Sequence, residues 1–211
     1  MKTLGYILVG FTTVAISLLA FVNPVTAIEK AKYTVVKKED DFEIRQYEAQ
    51  IVAETYVEGS LKDSGDDGFR RLYAYISGDN KKKQSISMTA PVGQEASSQK
   101  ISMTAPVSQE KKDGQWRITF LMPGEYFLET LPEPLDERVK LKVEPGRLMA
   151  AVRYSGTWSE KGYKKNKALL EEFIEKRGLK TKGPAIWARY DPPFMPWFLR
   201  RNEVLIPIEQ D

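Results

Sequence analysis

The residues able to do chemistry in this chain are few, and the first fact about them is what is missing: the 211 residues contain no histidine and no cysteine. That removes histidine-based triads, most zinc sites and histidine ligation of iron, and it leaves stability to the core, with no disulfide to help. Two carboxylate pairs stand out, Glu171-Glu172 and Asp40-Asp41. Adjacent side chains diverge on a helix or a strand, so neither pair makes an acid–base dyad, and both read as solvated surface. The run Lys81-Lys82-Lys83 reads as a wet face, or as a cationic rim for a carboxylate-bearing ligand. Met88 and Met103 offer thioethers to a soft metal or to iron; against that stands ordinary strand core, where methionine fills gaps. The stretch Asp191–Glu203 crowds Pro192, Pro193, Pro196, Phe194, Trp197, Phe198, Arg200 and Arg201 together. It cannot be regular structure. It is expected to form a buried aromatic lid held by an arginine–carboxylate network or, as the alternative, a ligand-facing loop.

The two methionines sit in a duplicated phrase. Residues 84–95 read QSISMTAPVGQE and residues 99–110 read QKISMTAPVSQE, matching at 10 of 12 positions. Each copy reads as extended: Ile86, Met88 and Ala90, and again Ile101, Met103 and Ala105, share one side, and Pro91 or Pro106 ends the pairing. A polar linker from Gly93 to Gln99 would let the copies pair as an antiparallel hairpin. Before them, alternation predicts strands at Tyr33–Val36, Phe42–Tyr47 and Ile51–Glu58. A helix follows over Leu61–Gly78, capped by Ser64 or Asp66 and ended by Gly78, with Phe69, Leu72, Tyr73 and Ile76 on one apolar face. After the copies, Asp113-Gly114 signals a hairpin turn, Trp116–Met122 a strong strand, and residues 125–137 a loop. Strands at Val139–Val143 and Leu148–Tyr154 precede a second helix from Trp158 to about Arg177, capped by Ser159, with Leu169, Leu170, Phe173 and Ile174 inward. Strands at Ala185–Tyr190 and Val204–Ile208 complete the chain. Strands and helices therefore come in two similar runs, which predicts an α+β fold of pseudo-symmetric halves with both helices on a curved antiparallel sheet.

The first 27 residues read differently. Lys2, an uncharged run from Leu4 to Val22, and small residues at Val25 and Ala27 make a cleavable signal peptide, or else an N-terminal anchor. The expectation is an exported protein, periplasmic or extracellular, touching a membrane only if the leader stays. Residues 28–211 then form a single domain. Without the leader, 31 Lys and Arg face 29 Asp and Glu, a net charge of about +2, too balanced to argue for nucleic acid.

Four ordered motifs carry a resemblance. Tyr75-Ile76-Ser77-Gly78-Asp79-Asn80, Met88-Thr89-Ala90-Pro91-Val92, Phe120-Leu121-Met122-Pro123, and Tyr190-Asp191-Pro192-Pro193 followed by Arg200-Arg201-Asn202-Glu203 resemble the SOUL / haem-binding protein family from about residue 32 to residue 208. The resemblance implies a distorted antiparallel β-barrel of two similar halves, similar to the effector-binding domains of bacterial multidrug regulators. It implies non-catalytic binding of haem or a related tetrapyrrole in an apolar groove beside the first helix. Phe69, Leu72, Tyr73 and Ile76 would then be groove wall, Arg70, Arg71 and Lys81 the partners of propionates, and Met88 a neighbouring contact. Some members are discussed as ligating haem through histidine. Without one, axial ligation here would fall to Tyr, Met or Lys, or be absent.

Two other function classes remain open on the sequence. One is a small-molecule hydrolase or effector-binding module on the same scaffold, with Glu54, Glu125 and Glu203 as its carboxylates. The other is a protein-interaction module in which the twin phrases form an exposed hairpin.

Overall fold

Short turns set the registers of the sheet. The computed structural model describes residues 28–82 and 98–209; residues 1–27 and the whole first phrase copy, Met88 included, lie outside the described residues. Strand β1 (Tyr33–Glu39) turns through Asp40-Asp41 into β2 (Phe42–Tyr47), with Asp40 at φ 50°. Strand β3 is Gln50–Val57, and two residues of β4 (Asn80–Lys81) follow the first helix. Strands β5 (Val107–Lys112) and β6 (Gln115–Leu121) form a hairpin in which Lys112 pairs with Gln115. Both residues of its loop have positive φ, Asp113 at 50° and Gly114 at 84°, which is what an Asp-Gly hairpin turn of the primed type requires. Among the described residues, strand β7 (Glu133–Pro134) pairs with β4 alone. The remaining strands are β8 (Lys140–Glu144), β9 (Arg147–Tyr154), β10 (Ile186–Arg189) and β11 (Asn202–Pro207). Gly146, between β8 and β9, lies so close to the Tyr47 carbonyl oxygen that a Cβ there would stand 2.8 Å from it.

The large sheet runs β1-β2-β9-β11-β10-β5-β6-β3-β8, all pairs antiparallel. Outward from the β5–β10 seam, β5-β6-β3-β8 on one side mirrors β10-β11-β9-β2 on the other. Helix α1 (Leu61–Ser77) lies between β3 and β5 in the chain, and α2 (Glu160–Lys176) lies between β9 and β10. The halves are thus related by a pseudo-twofold at the seam, and they exchange their outer strands.

Both helices cover the same face of this curled sheet. Across the seam, Gln109 pairs with Trp187, so their side chains share a face. Gln109 Nε2 donates to the Leu61 carbonyl at 2.8 Å and to Ser64 Oγ at 3.0 Å on α1, while Trp187 stacks on Tyr163 of α2 at 5.5 Å. The α1 core gathers Leu72, Tyr75 and Ile76 against Ala53, Ile118 and Phe120, and the α2 core gathers Leu170 and Ile174 against Val152, Val204 and Ile206. Leu170 and Ile174 thus take on α2 the places of Leu72 and Ile76 on α1.

Each helix start is capped by a serine. Ser60 Oγ accepts from Asp63 N–H at 3.1 Å, and Ser159 Oγ from Gly162 N–H at 3.1 Å. The cap of α1 is Ser60 rather than Ser64 or Asp66: Ser64 is inside the helix, its hydroxyl donating back to the Ser60 carbonyl at 2.6 Å. Gly78, at φ 129°, closes α1. The buried stripe of α1 includes Gly65 and Gly68, and a Cβ on Gly68 would stand 2.6 Å from Ile118 Cγ1 and 2.9 Å from its Cβ.

The opposite, concave face is tied by ion pairs. Arg45 grips the fully buried Glu203 with two hydrogen bonds, at 2.7 and 3.0 Å, and also donates to Glu43 at 2.7 Å. Arg117 sits between Glu54 and Glu110, both at 2.6 Å, and Glu144. Burial opposes ionisation of Glu144, but Arg117 and Arg147 outweigh it and hold the carboxyl below the usual value. Among the described residues, no helix is long and apolar enough to cross a membrane.

Two measurements test this packing. Gly68→Val forces Ile118 aside and is expected to lower the free energy of unfolding by about 1–3 kcal/mol in urea titration; an unchanged midpoint would contradict the close contact. A carboxyl whose folded pKa is depressed adds stability above its unfolded value and loses it as pH falls through the folded one. Stability should therefore drop below about pH 4.5, and Glu144→Gln, less stable at neutral pH, should lose less on acidification than the parent. Equal acid slopes would contradict the assignment.

Candidate functional site

Beside α1 the helix-covered face opens into a cavity of about 630 Å³, within the 300–1,000 Å³ usual for small-molecule sites. With the Gly65–Gly68 stripe pressed on the sheet, the next row of α1 turns outward. Phe69 and Tyr73 stack with ring planes 10° apart and centroids at 5.8 Å, and Phe69 meets Phe120 edge-on at 5.3 Å. Tyr73 is 49% exposed. These two rings make one wall.

The second phrase copy makes the next wall. Ile101 N–H donates to the Ile76 carbonyl at 2.8 Å, which ties the returning chain to the end of α1. Thr104 Oγ1 donates to the Leu121 carbonyl, and Ala105 N–H to Glu29 O at 2.8 Å. These anchors leave Met103 lining the cavity. The alternation expected for this copy is broken: Thr104 is buried like Ile101 and Ala105, and Met103 is 37% exposed. The peptide bond Ala105–Pro106 is cis. A hairpin between the copies falls partly outside the described residues.

The third wall runs from Arg189 to Phe194, with Trp158 beside it. Asp191 accepts from Arg201 N–H at 2.5 Å, Tyr190 OH donates to Glu203 at 2.9 Å, and Arg200 donates to the Met195 carbonyl at 2.7 Å. The arginine–carboxylate network is present, but it does not bury the aromatics: Phe194 is 84% exposed, Trp197 59% and Phe198 59%. The expected buried lid is instead an open rim. The polar groups are spent on holding the backbone of the loop, and the short turn at Trp197–Leu199 has no layer above it. Burial pushes the Tyr190 phenol well above its ordinary pKa.

The structure brings together only part of the residue set expected from sequence. Phe69, Arg70 and Tyr73 line the cavity, Arg70 as an exposed side chain paired with Asp67. Leu72 and Ile76 do not; at 0% and 4% exposure they lie in the core under the helix. Arg71 points away, donating to Thr55 Oγ1 at 2.6 Å and to the Tyr56 carbonyl at 3.2 Å. Lys81 belongs to the β4–β7 pair, away from the cavity wall. Met88 is outside the described residues. Trp158, Arg189 and Val107 also line the cavity, without a motif of their own to announce them.

Other openings suit a flat apolar ligand less well. The concave face closes to about 40 Å³, and an opening of about 410 Å³ near β8 is edged by Glu29, Lys30, Lys32, Glu48 and Glu129. Of the carboxylates considered for hydrolysis, Glu54 and Glu203 are engaged by arginines and Glu125 is exposed. Among the described residues no group of three or more acidic side chains is placed to hold a metal ion.

Solved structures place the fold. The C-terminal domain of EcmrR aligns with a TM-score of 0.53 at 11% identity, over 85% of this chain and 99% of that one. A hydrolase from Listeria innocua aligns with a TM-score of 0.50 at 15% identity, over 82% and 94%. Both share this fold. Heme-binding protein 1 of Xenopus laevis is 26% identical over 164 residues, covering 77% of this chain and 81% of the relative. The profile of SOUL heme-binding proteins matches residues 28–207, which spans the whole sheet and both helices, and the chain belongs to that family.

Proposed function

We propose that this protein binds haem or a related tetrapyrrole, without catalysis, in the cavity beside α1. The observation that carries the reading is the cavity itself: about 630 Å³, walled by the parallel rings of Phe69 and Tyr73 and the side chains of Met103 and Phe194. A flat conjugated ring gains most from such walls, since burying an aromatic face adds stacking to area. Membership of the family supports the ligand class. When bound, haem would supply an iron centre, and the Met103 thioether and the Tyr73 phenol are the cavity-wall groups that could donate to it. The apolar leader and its small residues at Val25 and Ala27 support export. Ion pairing of Glu54 and Glu203 supports a binder over a hydrolase.

Titration of the full chain with haemin is expected to give a saturable Soret shift at one ligand per chain. Phe69→Ala should weaken binding about tenfold or more, whereas Lys167→Ala, at the matching place on α2, should leave it unchanged. A spectrum indistinguishable from free haemin, without saturation, would overturn the proposal.

A further inference from the structure

Resting on that reading, we infer that Arg189 is the anchor for a carboxylate arm of the ligand, so that the cavity selects acidic tetrapyrroles through this guanidinium rather than through iron. The case is a contrast with the other arginines of the interior. Arg45 has Glu203 and Glu43, Arg117 has three glutamates, and Arg201 has Glu203 at 2.8 Å. Arg189 forms no ion pair among the described residues. Its Nη2 reaches Gln109 Oε1 only at 3.5 Å, and its Nε is shielded from solvent with no acceptor. The guanidinium is flanked by indoles, 5.1 Å from the Trp187 ring and 5.5 Å from Trp158. Trp158 Nε1 is likewise buried without an acceptor, and both side chains line the cavity.

A partly buried cation is costly to leave unpaired. Burial pushes the Arg189 pKa below its ordinary value, and the nearby Asp66, short of ion-pair contact, only partly offsets this. Indole rings beside the guanidinium favour the cation without using its N–H donors, which stay available to a carboxylate, the acceptor with which Arg pairs best. Arg70, the other arginine of the wall, is exposed and occupied by Asp67. A ring lying on Phe69 and Tyr73 with an acidic arm toward Arg189 would supply the missing counter-charge inside the cavity.

Binding of haemin, iron-free protoporphyrin and protoporphyrin dimethyl ester to the full chain separates the claims. The two diacids should bind with similar affinity and the ester at least tenfold more weakly. Arg189→Met, which keeps an apolar stem between the indoles, should weaken both diacids about tenfold to a hundredfold, as loss of a charge-assisted hydrogen bond implies, and leave the ester unchanged. Circular dichroism and the thermal midpoint of the variant report folding, and the ester comparison in the parent protein does not depend on the variant. If the parent binds diacids and ester alike, or if folded Arg189→Met binds diacids within twofold of the parent, the anchor is wrong and the haem reading stands. If the parent binds no porphyrin, both fall.

Discussion

The contact of α1 with β6 at Gly68 is the constraint on which the rest depends. With Ile118 side-chain atoms 2.6–2.9 Å from where a Cβ would be, the helix has no freedom to roll. The residues from Leu61 through Gly65 and Gly68 to Leu72 and Ile76 must face the sheet. The row that carries Phe69 and Tyr73 is then held at the edge, where Phe69 touches the core at Phe120 and Tyr73 stays half exposed. Gln109 reinforces the same seat by bonding to the Leu61 carbonyl and Ser64 hydroxyl. A rolled helix would bury these rings and close the cavity.

The concave face shows the opposite economy. A curled sheet would offer a hollow there, yet Arg45, Arg117, Arg201 and their glutamates fill it with mutually satisfied charge. Buried ion pairs of this kind give little net stability against an apolar filling, but losing one partner is severe. They also leave that face nothing to offer an apolar ring. The openness of the molecule is therefore displaced to the helix side, where backbone anchors such as Thr104 and Asp191 hold two irregular segments apart.

Most of the fold was legible from periodicity and punctuation. Strands β1–β3, β6 and β8–β11, both helices, the Asp113-Gly114 turn, the Ser159 cap and the two-half plan follow from local pattern; β5 does not, because alternation pointed to a strand before Pro106 whereas Val107–Lys112 starts just after it, and the two-residue strands β4 and β7 are too short to show a period. The cap of α1 was misread because Ser60, Ser64 and Asp66 are all competent cap residues, and only the register of the first turn distinguishes them. The candidate site was legible to the level of a helix, not a face. An apolar stripe of Phe69, Leu72, Tyr73 and Ile76 has no internal sign of which edge packs; glycines at 65 and 68 carried that sign, since close contact runs through the residues without side chains. Arg189 was invisible for a different reason. An arginine in a strand looks the same whether a glutamate awaits it or not, and the absence of a partner exists only in three dimensions.

The palindromic strand order has a last consequence. Aligning Leu72 with Leu170 and Ile76 with Ile174 sets Phe69 opposite Lys167 and Tyr73 opposite Glu171. Where one helix stacks two rings, the other closes an ion pair at 2.7 Å, and Tyr163 fills the place of Gly65. The symmetry holds in the backbone as a frame, while the side chains differ: α1 turns stacked rings toward a cavity and α2 turns charged pairs toward water.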